Sequence, residues 1–142
     1  MVDEATTRPR TPRAAGNDEL LRFALKLDGT VSGLVAALSM LGASALDALL
    51  GLPAWLHWAQ GVFLTLYAAV LWYAGTRPAV IRAIGVSAVV LNAVWAAGCL
   101  AIIAVGKAWF PITPFGYAYV VFLGVAVMVF GALQYAGLER AK

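Results

Sequence analysis

The chain has 142 residues, of which 63% are hydrophobic and only 12% are charged. Soluble domains average about 45–50% apolar and about 25% charged residues, and a domain of this length buries only roughly 70% of its surface. This composition excludes a water-soluble globule and a disordered chain, and the single cysteine excludes a disulfide scaffold. Most of the chain is therefore predicted to lie in lipid.

The N-terminal segment is basic and contains two prolines, Pro9 and Pro12. Because residues 6–13 contain no apolar side chain, residues 1–19 are predicted to be a disordered cytoplasmic tail. The tail lacks the interleaved aromatic residues of a nucleic-acid reader, so no nucleic-acid partner is predicted. Residues 20–27 are predicted to form a short amphipathic helix at the membrane surface.

Four long stretches without Asp, Glu, Lys or Arg follow, each able to hold one helix of the about 20 apolar residues that cross a bilayer. We predict an all-α protein, a four-helix transmembrane bundle over residues 20–142. The predicted spans lie near residues 28–49, 56–75, 79–106 and 114–138. The alternative for the first stretch is a secretory signal peptide that is cleaved after Ala43-Ser44-Ala45.

The basic residues predict the orientation of the bundle. Nine of the ten lie in the N-terminal segment, between the second and third spans, or at the C-terminus, and only Lys107 lies at the opposite side. By the positive-inside rule both termini are predicted to be cytoplasmic. Trp55, Trp58 and Trp109 suit an aromatic belt at the outer side. The Ala-rich, Arg-rich composition is typical of a bacterial protein, here in the inner membrane.

Polar side chains within spans are costly in lipid and therefore usually face other helices. Asp28 shares a helical face with Ser32 and is predicted to lie one turn inside the cytoplasmic interface. Tyr73, Arg82 and Gln134 are predicted to reach the same layer, so that an acid, a base and hydrogen-bonding groups converge from four helices. The set is either a structural polar clasp or a binding site, with Asp28 as the candidate catalytic acid or counter-ion.

Asn92 is predicted to lie deeper, midway along the third span, with Trp95 on nearly the same face. A buried amide in hydrocarbon needs a partner, and Thr65 and Tyr67 are the candidates at a similar depth. Asn92 and Trp95 therefore either fix packing and helix register or form the floor of a pocket for a hydrophobic ligand.

The remaining chemistry-bearing residues are sparse. His57 is the only histidine, and with Asp47 as its one acidic neighbour it makes too small a set for a metal site. Cys99, the only cysteine, is predicted to be a packing residue. No metal and no cofactor are predicted. Gly29 and Gly33 form a GxxxG pair that allows close helix packing, within the chain or in a homodimer.

Three short segments carry a resemblance to a known group of proteins. They are Leu21-Arg22-Phe23-Ala24-Leu25 running into Asp28, Asn92-Ala93-Val94-Trp95, and Gln134-Tyr135-Ala136-Gly137-Leu138-Glu139-Arg140. Together they resemble a group of small four-helix bacterial integral membrane proteins of unassigned function, and more loosely they are similar to the DoxX-like proteins. The resemblance implies a four-helix membrane fold and transfers no catalytic residue.

Three functions remain open from the sequence. The first is a non-catalytic accessory, assembly or lipid-binding component, whose partners are the bilayer and other membrane proteins. The second is a membrane enzyme or carrier for a hydrophobic small molecule, such as a quinone, terpenoid or sterol-like lipid. Its cytoplasm-facing pocket would be lined by Tyr73, Arg82, Asn92, Trp95 and Gln134, with Asp28 as the acid. The third is a dimeric proton-coupled transporter.

Overall fold

The computed structural model of the protein describes residues 18–142, and the predicted tail lies outside this part except for its last two residues. The described chain is helical throughout, with a single 3₁₀ turn before the last helix. In chain order the helices are α1 (Glu19–Leu41), α2 (Ala43–Leu50), α3 (Ala54–Thr76), α4 (Arg82–Val105) and α5 (Pro114–Arg140).

Four of these helices are long and apolar enough to cross a membrane, namely α1, α3, α4 continued through its 3₁₀ turn, and α5. No strand occurs between residues 18 and 142. The predicted all-α architecture with four long apolar helices is therefore confirmed. All four run between the same two ends. We call them the terminal end, which holds Glu19 and Arg140, and the Lys107 end.

The first helix differs from its prediction. It begins at Glu19, nine residues before Asp28, so that residues 20–27 belong to the long helix and form no separate surface helix. The reason is that Leu21, Ala24 and Leu25 lie on the same buried face as Asp28, and nothing in this stretch breaks the helix. Helix α1 ends at Leu41 with Gly42 as its cap, and the short helix α2 continues the chain to its own cap at Gly51.

Close packing joins the helices into two pairs. Helix α1 packs along α3, and α4 packs along α5, while α1 also contacts α5 and so holds the two pairs together. At the α1–α3 interface a Cβ on Gly29 would lie 3.3 Å from the Ala68 carbonyl oxygen, and one on Gly33 would lie 3.7 Å from the Ala68 Cβ. The GxxxG pair therefore serves packing within the chain. Helices α3 and α4, in contrast, touch at few points.

Apolar clusters close both ends of the bundle. At the terminal end the buried residues are Leu21, Leu25, Leu71, Ala74, Ala88 and Leu138. At the Lys107 end they are Leu50, Leu52, Cys99, Ile112 and Val120. Gly51, which adopts a left-handed conformation with φ of 70°, turns the chain there so that the Leu50 carbonyl accepts the Thr113 N–H. The functional candidates lie between the two clusters.

Candidate functional site

Five polar side chains from all four long helices meet in the middle of the bundle, and we call them the Asp28 cluster. They are Asp28 and Ser32 on α1, Tyr67 on α3, Asn92 on α4 and Gln134 on α5. The Asp28 Oδ1 atom accepts a hydrogen bond from Ser32 Oγ at 2.9 Å. The Oδ2 atom accepts from Tyr67 Oη at 2.9 Å, Asn92 Nδ2 at 3.0 Å and Gln134 Nε2 at 2.7 Å.

Two further bonds link the donors of the cluster to one another. Asn92 Nδ2 also lies 3.0 Å from Gln134 Oε1 and 3.3 Å from Tyr67 Oη. An ionised carboxylate can only accept hydrogen bonds, so both amides turn their nitrogen atoms toward Asp28. The Asn92 amide has two hydrogens for its three acceptors, so it makes at most two of these bonds in full at one time.

The Asp28 carboxyl has no basic partner. Its side chain is 1% exposed, and the one ion pair in residues 18–142 joins Lys142 to Glu139 at the surface. A buried carboxylate without a counter-ion is costly unless hydrogen bonds replace its water. The four donors of the cluster supply this replacement.

The level of Asp28 along the bundle also differs from its prediction. Nine residues at about 1.5 Å per residue place it roughly 13 Å inside the start of α1, whereas the sequence predicted Asp28 at the start of the first span. Asp28 and Asn92 consequently lie at one level and bond directly. Of the two partners predicted for Asn92, Tyr67 is the observed one, and Thr65 instead donates to the Gly61 carbonyl of its own helix.

Tyr73 and Arg82 do not join the cluster, contrary to the prediction that they share its layer. Tyr73 is 50% exposed and stacks under the Arg77 guanidinium at 4.0 Å. Arg82 donates to the Leu138 carbonyl oxygen at 2.9 Å, near the C-terminal end of α5, where free carbonyls attract cations. Both side chains lie at the terminal end. Asp28 lies away from them because α1 begins well before its charge-free stretch.

A cleft opens where α3 and α4 diverge, and we call it the α3–α4 cleft. Phe63 and Trp95 stack across it with ring centroids 5.4 Å apart and an interplanar angle of 21°. They divide it into an inner part of about 40 Å³ and an outer part of about 380 Å³. Phe63, Trp95, Gln60 and Leu123 line both parts, so the two parts adjoin one another at the stacked rings.

The inner part of the cleft ends on the Asp28 cluster. Ser32, Tyr67 and Asn92 line it, whereas Asp28 and Gln134 stand behind them and do not. The outer part is almost wholly apolar and extends toward the Lys107 end along Leu56, Ile102 and other side chains. A Cβ added to Gly98, on the wall of the outer part, would meet no atom within 4 Å.

The cleft points away from the terminal end. The sequence predicted a pocket that faces the termini, but the apolar cluster of Leu21, Leu25, Leu71 and Leu138 closes that end of the bundle. The physical reason is the same extension of α1. The two additional helical turns place leucines on the terminal side of Asp28, where the prediction expected the polar opening of a pocket.

A second polar group lies at the outer part of the cleft. Gln60 Nε2 donates to Tyr119 Oη at 2.8 Å and to Ser39 Oγ at 3.3 Å. His57 packs edge-on against the Tyr119 ring, with centroids 6.4 Å apart. Neither nitrogen of the buried His57 ring has a hydrogen-bond partner in the described part of the chain. No group of three potential metal ligands occurs in residues 18–142.

Sequence reasoning named Asp28, Asn92, Trp95 and Gln134, which the structure places in the cluster or on the cleft. It missed Phe63 and the open space beside Gly98, because a single sequence contains no signal that two helices diverge. Tyr67 entered only as a partner of Asn92. Tyr67 lies one helical turn from Phe63, on the same helix as Gln60. This spacing is the sequence signal that could have indicated Tyr67 as a site residue.

Comparisons with known proteins add no functional assignment: no protein-family model, no curated protein and no solved structure matches the chain.

Proposed function

We propose that this chain is an integral membrane protein that binds one small hydrophobic molecule in the α3–α4 cleft. The observation that carries the proposal is the pair of adjoining, mostly apolar spaces between α3 and α4, an outer part of about 380 Å³ and an inner part that reaches Ser32, Tyr67 and Asn92. Small-molecule sites are typically concave spaces of about 300–1,000 Å³, mostly apolar, with a few convergent polar groups. The α3–α4 cleft has both properties.

Binding without chemistry is the role that the geometry favours. Asp28 is the only acid in the cluster, and Ser32, Tyr67 and Asn92 separate it from the cleft. A general acid must come within hydrogen-bond reach of its substrate, and Asp28 would do so only if these donors moved away. The proposed role of Asp28 is therefore to hold the binding groups in place.

The cleft also distinguishes this function from the other candidates. An accessory protein that acts only through its outer surface needs a packed interior, and here two of the four long helices diverge. A dimeric transporter needs a second copy to complete its site, whereas Asp28 already has four donors from its own chain. A protein that carries the bound molecule, donates it to a partner or acts as its receptor would fit the proposal.

The proposed location is the inner membrane of a bacterium, with both termini in the cytoplasm. The charge distribution supports this orientation, because Arg77, Arg82 and Arg140 lie at the terminal end and Lys107 lies alone at the other. In this orientation the outer part of the cleft lies in the outer leaflet.

We expect a cysteine at position 107 to react from outside the cell. In a Cys99→Ala background, Lys107→Cys should be labelled on intact cells by a membrane-impermeant maleimide, because Lys107 is exposed at the Lys107 end. The matched control, Lys142→Cys, should be labelled only after the membrane is permeabilised. Labelling of position 142 alone on intact cells would reverse the proposed orientation.

Native mass spectrometry tests the binding function. Protein released from its native membrane in mild detergent should carry one apolar molecule per chain. Gly98→Phe should abolish this adduct, because the new ring enters the open space beside Gly98 and fills the outer part of the cleft.

Ala101→Phe is the matched control, since it adds the same ring at an exposed position of α4 outside the cleft. The control should retain the bound molecule. Equal adducts in both variants, or none in the wild-type protein, would contradict the proposed function.

A further inference from the structure

We infer that the molecule bound in the α3–α4 cleft ends in a small hydrogen-bond donor, a hydroxyl or an ammonium group, and that this head lies in the inner part. The inference rests on the proposed function and specifies its ligand. It follows from the donors and acceptors that the Asp28 cluster has already used.

Asp28 uses the donors of the groups that line the inner part. Ser32 and Tyr67 each have one hydroxyl hydrogen, and both hydrogens point at the Asp28 carboxylate. The Asn92 amide nitrogen lies within hydrogen-bond distance of Asp28, Tyr67 and Gln134. What remains on these three side chains is acceptor capacity, namely lone pairs on Ser32 Oγ, Tyr67 Oη and Asn92 Oδ1.

The electrostatics of the inner part point to the same head group. The carboxyl oxygens of Asp28 lie directly behind these acceptors and draw the donors of the cluster toward themselves, so this end of the cleft favours a polarised O–H or N–H bond on the ligand. A carbonyl or ester oxygen would meet only acceptors on Ser32, Tyr67 and Asn92.

The size of the inner part limits the head further. Its volume is about 40 Å³, against about 380 Å³ for the outer part. The smaller end of the ligand, such as a hydroxyl or primary ammonium group, therefore belongs in the inner part. The hydrocarbon part of the ligand then lies beyond Phe63 and Trp95, in the outer part.

Asp28 acts in this scheme as a positioning residue. It does not line the cleft, but it orients the hydroxyl hydrogens of Ser32 and Tyr67 away from it. An asparagine at position 28 can keep three of the bonds with its oxygen while its amide nitrogen faces Ser32. The Ser32 hydrogen would then be free to turn into the cleft and donate to a ligand.

Three probes with one hydrocarbon chain test the head group: farnesol, farnesylamine and the aldehyde farnesal. Binding to the purified full-length protein in detergent is measured by saturation with tritiated farnesol and by competition with the other two. We expect farnesol and farnesylamine to bind at least about tenfold more tightly than farnesal, the loss expected for one unpaired buried polar group. A tighter amine assigns the ammonium, and a tighter alcohol assigns the hydroxyl.

Asp28→Asn and Ser32→Ala provide the second measurement. Asp28→Asn should reduce the preference for farnesol over farnesal several-fold, because it frees the Ser32 hydrogen, whereas a merely structural change would weaken all three probes alike. Ser32→Ala should weaken farnesol and leave farnesal unchanged. Thr30→Ala, which alters an exposed hydroxyl bonded to the Lys26 carbonyl, is the control and should change nothing.

The inference would be overturned if the three probes bound with equal affinity and Gly98→Phe abolished the binding of all three. That result would leave the proposed function in place. In that case the donors beyond the Asp28 cluster, the Tyr119 hydroxyl in the outer part and the Trp95 indole N–H between the two parts, would hold the head instead. An absence of saturable binding for every probe would contradict the proposed function itself.

Discussion

Asp28→Ala should be the most destabilising single substitution among the polar residues of the bundle, lowering the free energy of unfolding by roughly 2–4 kcal/mol. The substitution removes the acceptor of four hydrogen bonds. Such bonds between membrane helices average about 0.6 kcal/mol each and reach about 1.7 kcal/mol. The donors of Tyr67, Asn92 and Gln134 would also be left without their common acceptor. Unfolding by sodium dodecyl sulfate in mixed micelles measures the difference.

Asp28→Asn is the matched control for this prediction. Its side chain has nearly the same shape and can keep the bonds from Tyr67, Asn92 and Gln134, so the loss of stability should stay below about 1 kcal/mol. Ser32→Ala, which removes one of the four bonds, should cost about 0.6 kcal/mol. If Asp28→Asn were as destabilising as Asp28→Ala, the charge rather than the hydrogen-bond geometry would hold the cluster together.

Gly137→Ala should separate α1 from α5 and lower stability by about 2 kcal/mol or more. A Cβ at this position would lie 2.6 Å from the Cα and 2.7 Å from the N atom of Leu21. Backbone atoms cannot move aside as the end of a flexible side chain does, so the two helices must shift. Because Gln134 lies one turn away on α5, the shift should also weaken its bond to Asp28.

Gly98→Ala separates this packing effect from the helix propensity of glycine. Both glycines lie inside long helices, but a Cβ on Gly98 meets open space. Alanine is favoured over glycine in a helix by about 0.8–1.0 kcal/mol, so Gly98→Ala should raise the thermal unfolding temperature while Gly137→Ala lowers it. A rise for both variants would show that α1 and α5 do not approach as closely as described.

The architecture could be predicted from the sequence because composition and charge act over long stretches. Stretches of 18 or more uncharged residues between single charged residues leave few alternatives to long apolar helices. The start of α1 could not be predicted in this way. Arg22, Lys26 and Asp28 interrupt the apolar pattern, yet Arg22 is bonded to the Gly75 and Pro78 carbonyls and Asp28 is buried in the cluster, so neither ends the helix.

The candidate site could be predicted only in part. Asp28, Asn92 and Gln134 stand out because polar groups in apolar helices need partners. Which of them meet depends on the rotation and sliding of helices against one another, and close contacts at positions such as Gly29 and Gly137 determine these. The divergence of α3 from α4 is a property of four helices together, and the sequence of either helix alone does not contain it.

A crystal structure of the protein grown from a lipidic mesophase tests the central claim most directly. The account predicts elongated density between α3 and α4, with its apolar length beside Gly98 and one end within hydrogen-bond distance of Ser32, Tyr67 or Asn92. Helices α3 and α4 packed directly together at Ala59 and Gly98, with no space between them, would contradict it. An Asp28 side chain turned outward to the acyl chains would contradict it as well.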